Sequence, residues 1–313
     1  MIVNPTHLGG SRIKNYNTMA HTNSTNNVYQ MVTDRIIEQM KQGIIPWLKP
    51  WHGLKGKGTE NMAISYTSRK AYSLLNQWLL GEPGEYLTFN QIKELGGSIK
   101  KGEKSRYVVF YTKVEFKKKN EETGEEELHS YPLLKYYNVW HINQTTGIES
   151  KIKEGEKVEE APEMDAQADS IIFGYLMRET SLKFQNDKPS DKAYYSLALD
   201  QVVVPMPGQY SNMSEYYSTT FHEFIHSTMK ASRCDREAEN KGAFFGNTEY
   251  SREELVAEMG SAMLCSVTGV ENKKSFRNSV AYIQSWITSF KNDPKMIVWA
   301  ASRAEKAAQY ICG

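Results

Sequence analysis

Apolar residues near the start of the chain recur at the spacing of a helix. They are Val28, Met31, Val32, Ile36 and Met40. The pattern predicts a helix that begins at Asn26 and ends before Gly43 and Pro46, because glycine and proline stop helices. Residues 1–25 are rich in Asn, Thr, Ser and Gly and lack this periodicity, so they are predicted to form a mobile tail.

Helical and strand patterns alternate through the rest of the first half. Residues 69–80 and 88–95 are predicted to be short helices, the second of them capped by Thr88. Residues 107–116 and 131–142 alternate and are rich in β-branched and aromatic side chains, which is typical of strands. The charged residues between these strands are predicted to be the solvated tip of a long hairpin.

The second half is predicted to be mainly helical. Residues 149–166 contain few large apolar side chains, so they are predicted to be a linker between a domain at 26–148 and a domain at 167–313. Residues 171–177 indicate a helix, two short strands are expected on either side of Asp200, and three or four helices are expected between residues 214 and 311. The predicted fold class is therefore α+β, with a hairpin-bearing first domain and a mainly helical second domain that contains a small sheet.

Charge separates the two halves. The chain of 313 residues has a formal net charge of +1, but residues 1–150 carry +5 and residues 151–313 carry −4. A basic half suggests contact with nucleic acid. No apolar run approaches the roughly 18–20 residues of a membrane helix. The three cysteines lie far apart in the sequence, which fits a reducing cytoplasm.

The second half contains an H-E-x-x-H motif formed by His222, Glu223 and His226. On a helix, residues four apart lie on one face, so both imidazoles can reach one metal ion. The surrounding apolar residues predict such a helix, with Ser214 or Ser218 as its cap. Zinc lowers the pKa of a bound water to about 7, and the carboxylate of Glu223 is expected to accept the proton. The motif predicts one zinc ion per chain, with Glu223 as the base.

A catalytic zinc site needs a third protein ligand. No histidine occurs in residues 227–237, so the third ligand is sought further along the chain. Glu254 and Glu258 lie four residues apart on a predicted helix. We assign Glu254 to the metal and Glu258 to the second nitrogen of His222, because ligand histidines are commonly held by such a carboxylate. Glu253 is the rival ligand.

Aromatic and basic side chains are interleaved in the first half, and single-stranded nucleic acid needs both. Rings stack on bases, and cations neutralise phosphates. The predicted DNA-binding residues are Trp47, Lys49, Trp51, Lys55, Lys57, Arg69, Tyr72, Lys100, Lys101, Lys104 and Arg106. Arg69 and the turn at residues 100–104 are the strongest phosphate candidates, because Gly102 lets backbone N–H groups approach an anion. The opposing interpretation, that the rings form core and the lysines are simply solvated, stays open.

Short motifs in both halves appear in a recognisable order. In the first half they lie at residues 47–51, 69–72, 86–97, 101–104 and 137–147, and in the second half at 193–200, 222–228, 253–258 and 281–286. Over about residues 26–311 they resemble the ArdC family of antirestriction proteins. The resemblance implies an N-terminal domain that binds single-stranded DNA and a C-terminal zincin-like metallopeptidase domain. It also implies protection of incoming DNA from host restriction during conjugation.

The chain departs from the family pattern just after the motif. Met229 stands where the family pattern has Gly, and Cys234 follows Arg233 where the pattern has Leu. Neither residue is predicted to touch the metal, and both are expected to shape the substrate cleft.

Two other interpretations stay open. In one, the protein is a nucleic-acid-binding accessory factor whose zinc domain is structural or docks another protein. In the other, it is an intracellular metallopeptidase whose first domain recognises protein. The expected partners are single-stranded DNA and a protein substrate or a component of a restriction system, with no membrane.

Overall fold

The structure is a computed structural model that describes residues 25–48, 62–119, 126–152, 164–240, 248–270 and 280–313. The predicted tail at residues 1–25, except for Thr25, and most of the predicted linker at 149–166 lie outside the described residues. Helices and strands both contribute to each half, which confirms the predicted α+β class.

Helices and a mixed sheet build the first half. The helices are α1 (Thr25–Lys41), α2 (Leu74–Leu80) and α3 (Phe89–Glu94), and the strands are β1 (Ala63–Ser65), β2 (Gly84–Leu87), β3 (Ser98–Ile99), β4 (Arg106–Lys119), β5 (Glu126–His141) and β6 (Thr145–Thr146). The main sheet has the order β1-β2-β5-β4, in which β1 and β2 are parallel and the other pairs antiparallel. Strands β3 and β6 pair separately.

Local sequence signals explain most of these elements. The apolar stripe of α1 is buried, as its periodicity predicts. Thr88 caps α3, as predicted. Its side chain also forms a capping box with Gln91. The predicted hairpin is confirmed, and β4 and β5 extend beyond the predicted strands. The side chain of Asn76 hydrogen-bonds both the N–H and the C=O of Val109 at 2.8 Å. These backbone groups are therefore paired although β4 is an edge strand.

The helix predicted over residues 69–80 is wrong in its first part. Arg69 has a positive φ of 59°, and helix α2 begins only at Leu74. The segment instead folds back on β1, where Tyr72 N–H donates to the carbonyl of Ala63 at 3.1 Å. Long-range pairing with a strand has therefore replaced the local helical preference.

The second half surrounds a small sheet with helices. The helices are α4 (Met164–Arg178), α5 (Met213–Ser227), α6 (Thr248–Thr268), α7 (Val280–Asn292) and α8 (Met296–Cys312), and the strands are β7 (Lys183–Gln185), β8 (Tyr194–Ser196) and β9 (Gln201–Val203). The sheet order is β7-β9-β8. Strands β8 and β9 are antiparallel on either side of Asp200, as predicted.

One hydrophobic core runs through both halves. It contains Val32 and Ile36 of α1 as well as Leu255 of α6 and Phe290 of α7. Trp47 lies in this core, with its ring 6.1 Å from that of Phe290. The division into domains at 26–148 and 167–313 stays a prediction, and any motion between the halves must disturb this shared packing. No helix among the described residues is long and apolar enough to cross a membrane.

Candidate metal centre and nucleic-acid interface

Helix α5 carries the H-E-x-x-H motif. Its N-cap is Asn212, whose side chain accepts a hydrogen bond from the backbone N–H of Glu215 at 3.0 Å. The predicted caps, Ser214 and Ser218, are wrong, because the helix already begins at Met213. Phe221, Phe224 and Ile225 are fully buried and seat the helix in the core.

Three side chains converge beside this helix. The Nε2 atoms of His222 and His226 lie 3.2 Å apart. Glu254 of α6 points one carboxylate oxygen at each of them, with Oε2 at 3.5 Å from His222 and Oε1 at 3.3 Å from His226. The three ligand atoms lie within 4.8 Å of one another. Two imidazole nitrogens that face one carboxylate form a donor set that fits a divalent cation.

Burial and neighbouring charges shift the pKa values of these three groups in different directions. Burial lowers the pKa of His222, which favours the neutral imidazole that binds metal. Burial also acts to lower the pKa of His226, but hydrogen bonds to Glu253 and Glu254 outweigh it and raise that pKa well above its usual value. The two histidines outweigh the effect of burial on Glu254 and hold its pKa low, so its carboxylate is ionised at neutral pH.

The rival ligand Glu253 faces a different set of atoms. Its Oε1 lies 3.4 Å from Nδ1 of His226, on the far side of the ring from Nε2. The same carboxylate accepts two hydrogen bonds from the buried Arg236, at 2.7 Å from Nη2 and 3.1 Å from Nε. Glu253 therefore orients His226 instead of joining the cluster of Glu254 and the two histidines. Sequence analysis assigned Glu254 to the metal and named Glu253 as its rival, but nothing in the sequence around Arg236 distinguishes it as the partner of Glu253.

Two buried arginines hold the C-terminal end of α5. Arg236 donates to the carbonyl of Ile225 at 3.1 Å, and Arg233 donates to the carbonyl of Ser227 at 2.9 Å. These carbonyls lie at the negative end of the helix, where cations are favourable. Arg233 also pairs with both oxygens of Asp200, at 2.8 and 2.9 Å, which ties the helix end to the small sheet.

Helices α5 and α6 approach closely at Gly260. A Cβ atom there would lie 2.6 Å from Cδ1 and 2.9 Å from Cγ1 of Ile225. Next to it, the hydroxyl of Ser261 donates to the carbonyl of Ser218 at 2.9 Å. The absence of a side chain at Gly260 thus lets Glu254, on α6, reach the histidines on α5.

The other predicted groups of the site lie nearby. Glu223 is buried, with 7% of its surface exposed, and its charge acts on His226. Glu258 acts electrostatically on His222, in the direction that raises its pKa, and its place as the partner of that ring stays a prediction. Sequence analysis missed Tyr210, which lies within electrostatic range of Glu223. Burial, together with the charge of Glu223, raises the pKa of the Tyr210 phenol to about 12. No motif distinguishes it from the other tyrosines.

The structure contradicts the assignment of Trp47 to DNA. Its ring is 2% exposed and packs 6.1 Å from Trp78 and from Phe290, so a base cannot reach it. A tryptophan in a basic loop gives the same sequence signal whether it faces solvent or the core. Lys49, Trp51, Lys55 and Lys57 lie outside the described residues.

The two predicted arginines both pair with groups of the protein itself. Arg69 pairs with the buried carboxylate of Glu85. Arg106 donates to the carbonyl of Leu80 at 2.6 Å and to the hydroxyl of Tyr86 at 2.8 Å, and it pairs with Glu82 at 2.7 Å. These contacts link β2 to its surroundings, and the two arginine side chains stay 37% and 30% exposed, so their role at phosphates stays a prediction.

The remaining predicted residues differ in exposure. Tyr72 is half-buried, with its ring 6.3 Å from that of Tyr86. Lys100, Lys101 and Lys104 are exposed on one turn, in which Gly102 has the predicted positive φ, 87°. The structure therefore places three exposed lysines on one turn.

Comparisons with known proteins cover both halves. Residues 26–140 match the family described as the N-terminal domain of anti-restriction factor ArdC, and residues 173–303 match a zincin-like metallopeptidase family. The metal-free crystal structure of the antirestriction ArdC protein from plasmid R388 is 32% identical, with a TM-score of 0.64, and the match covers 91% of this chain and 96% of that one. The Mn(II)-bound structure is 30% identical, with a TM-score of 0.63 and the same coverage.

Longer relatives also match. Two proteins from Escherichia coli named DNA primase TraC are 27% and 28% identical over 90% of this chain. This chain spans only 20% and 27% of their lengths. Protein y4eC of Sinorhizobium fredii is 25% identical, over 91% of both chains.

Proposed function

Because the chain belongs to the ArdC family of antirestriction proteins, we propose that it binds single-stranded DNA and protects incoming DNA from restriction, as in conjugation. We also propose that its second half is a zinc-dependent peptidase domain that acts on a protein substrate or a component of a restriction system. One observation carries the proposal: the similarity to ArdC extends over 91% of the chain, and so includes both halves.

The proposed ion is zinc, held by His222, His226 and Glu254. Two histidines and one carboxylate are the protein ligands of a common type of catalytic zinc site that keeps a further position open. The side chain of Glu254 is 28% exposed, which supports an open site over a closed structural one. Such a donor set also accepts other divalent ions, and one R388 structure is Mn(II)-bound.

The proposed chemistry uses Glu223 as a general base. When bound, the cation supplies Lewis-acid chemistry that polarises a peptide carbonyl and acidifies a water molecule. Glu223 is proposed to accept the proton of the attacking water and to return it to the leaving amine. Glu253 and Arg236 are proposed to hold the ring of His226 in place through its Nδ1 atom.

The proposed DNA interface includes the exposed lysines of the turn at residues 100–104. Lys100, Lys101 and Lys104 can neutralise phosphates and release counterions, which gives binding without sequence preference. Trp51 and the lysines at 49, 55 and 57 stay candidates for the same interface.

A restriction-protection assay tests the proposal. A plasmid is transferred by conjugation into a restricting recipient and into a matched recipient without the restriction system, each with and without this protein. We expect recovery to rise with the protein only in the restricting recipient. Equal recovery with and without the protein in that recipient would contradict the antirestriction role.

Glu223→Gln separates chemistry from protection. The substitution keeps the size of the side chain but removes the base, so hydrolysis of a peptide library should fall by at least about 100-fold. Zinc content and DNA binding should not change. We expect protection to persist, because coating of single-stranded DNA can by itself shield an incoming strand. Glu215→Gln, in the first turn of α5, is the matched control and should keep all of these properties. Loss of zinc from Glu223→Gln would show a structural role instead.

A further inference from the structure

One face of the hairpin formed by β4 and β5 carries most of the exposed aromatic rings of its described residues. Its register runs from Arg106 opposite Val139 to Lys119 opposite Glu126. Because side chains alternate along a strand, even-numbered residues of β4 share one face with odd-numbered residues of β5. At the base of the hairpin this face is buried, through Val108 and Val139.

Beyond its base, the same face carries exposed aromatic rings. Phe110, Phe116 and Tyr131 are 38%, 44% and 47% exposed. We call the rings on this face the aromatic stripe: Phe110, Phe116, His129, Tyr131 and Tyr137. Neighbouring exposed apolar rings of this kind indicate an interaction surface, because large exposed apolar patches are rare on soluble proteins.

Neighbouring rings of the stripe contact one another. The ring of Phe116 lies 5.7 Å from that of His129 and 5.8 Å from that of Tyr131. Phe110 lies 5.4 Å from Tyr137 in the same way. From residue 110 to residue 116 a strand advances about 20 Å, which is long enough for several bases to stack along it.

Charge on the hairpin favours an anionic partner on this face. Lys135 lies directly opposite Phe110. By the register, the other charged positions of this face are Arg106 at its base and Lys118 opposite Glu127 near its tip, so the formal net charge of the face is positive. The acid Glu115 lies on the opposite face, where it pairs with Lys113 at 3.0 Å.

We propose that the aromatic stripe is the platform on which the bases of single-stranded DNA stack, with Lys135 at a phosphate. Stacking on rings accepts every base, because each base has a π-face, and it needs no hydrogen-bond code. The half-buried Tyr72 packs, like Tyr137, against the buried cluster at the base of the same face, so it continues the stripe. The inference rests on the single-strand binding proposed above, and it transfers the stacking role from the buried Trp47 to exposed rings.

The test is Phe116→Ala/Tyr131→Ala in the full chain. Binding of a fluorescein-labelled 20-nucleotide oligothymidylate is followed by anisotropy at several salt concentrations. Base–ring stacking is worth about 1–3 kcal/mol per base, so the Kd should rise at least about tenfold. The salt slope should not change, because no phosphate contact is lost. Lys135→Ala should instead reduce the slope by about 0.7.

Leu128→Ala is the matched control, because Leu128 is 67% exposed on the opposite face of the same ribbon. Its Kd should stay within about twofold of the wild type. Phe116→Tyr should also retain binding, since the ring is kept. Unchanged melting temperature and metal content in each variant exclude an effect of unfolding.

The outcomes distinguish this inference from the proposed function. If the wild-type protein binds no single-stranded DNA, the proposed function fails. If the wild type binds and the double variant binds equally well, the stripe is not the platform, while single-strand binding stands. If light scattering shows a dimeric wild type and a monomeric double variant of equal DNA affinity, the stripe is a self-association surface and the inference is overturned.

Discussion

Two adjacent glutamates have different surroundings although they follow one another in the sequence. Glu254 reaches the Nε2 atoms of both motif histidines, whereas Glu253 faces Nδ1 of His226 and the guanidinium of Arg236. Consecutive helical residues point about 100° apart, so only one of them can face the cluster. Glu253 is also buried, so removing either Glu253 or Arg236 would leave the other charge buried without its partner, at a cost in folding free energy.

The first prediction compares Glu254→Gln with Glu253→Gln. Glu254→Gln should weaken zinc binding more, because it removes a ligand. Glu253→Gln should weaken zinc binding about 10–100-fold, as expected for a partner of a ligand histidine. It should also lower the free energy of unfolding by about 3 kcal/mol, because Arg236 is left buried without its carboxylate. Chelator competition and urea unfolding measure the two effects. Equal or tighter zinc binding by Glu254→Gln than by Glu253→Gln would contradict the assignment.

Among the secondary-structure elements, the packing of helix α5 against helix α6 depends on one glycine, Gly260. Ile225 fills the space where a side chain at Gly260 would lie, and Ile225 is fully buried. Any group added there must push the helices apart or shift Ile225. The metal site bridges these two helices, so its geometry depends on their separation.

The second prediction concerns Gly260→Ala. Alanine favours a helix over glycine by about 1 kcal/mol, but the added methyl overpacks the interface at a cost of about 1–3 kcal/mol. We expect a net loss of stability in urea and weaker zinc binding by chelator competition. Gly174→Ala in α4 is the control, because its Cβ would meet only Nη1 of Arg178, at 3.6 Å. It should be neutral or stabilise by about 0.5–1 kcal/mol. A Gly260→Ala protein as stable as this control would contradict the close approach.

The shared core makes the two halves interdependent at the scale of the whole molecule. Trp47 comes from the first half and packs against Phe290 of α7. Leu74, at the start of α2, donates its N–H to the carboxylate of Glu305 on α8 at 3.2 Å. Burial raises the pKa of the Glu305 carboxyl, and the N–H of Leu74 acts in the opposite direction.

The third prediction is that Trp47→Ala destabilises both halves together. Loss of a buried tryptophan typically costs about 3–5 kcal/mol. Urea unfolding should show one transition, shifted to lower urea, by circular dichroism and by zinc release alike. DNA affinity of the folded variant should be unchanged, because the ring is not accessible. Phe89→Ala is the control, since Phe89 is 45% exposed and should change stability by less than about 1 kcal/mol. Separate transitions for the two probes would contradict the coupling.

Patterns within a few turns of chain were sufficient for much of this protein. The period of α1, the capping residue Thr88, the hairpin and the strands around Asp200 all follow from neighbouring residues, because helix and strand periods are local properties. The spacing of His222 and His226 likewise places both rings on one helical face. The resemblance to ArdC depends on the same short motifs.

Features that depend on distant residues could be found only in the folded chain. Trp47 carries a ring suited to DNA, yet the fold buries it in the core. The sequence favoured Glu254 over Glu253 as the metal ligand, but the pairing of Glu253 with Arg236 and with Nδ1 of His226 depends on the fold. The aromatic stripe became visible once the register of β4 and β5 aligned its rings on one face. Burial, partner and face are set by contacts between residues far apart in sequence, which no local pattern encodes.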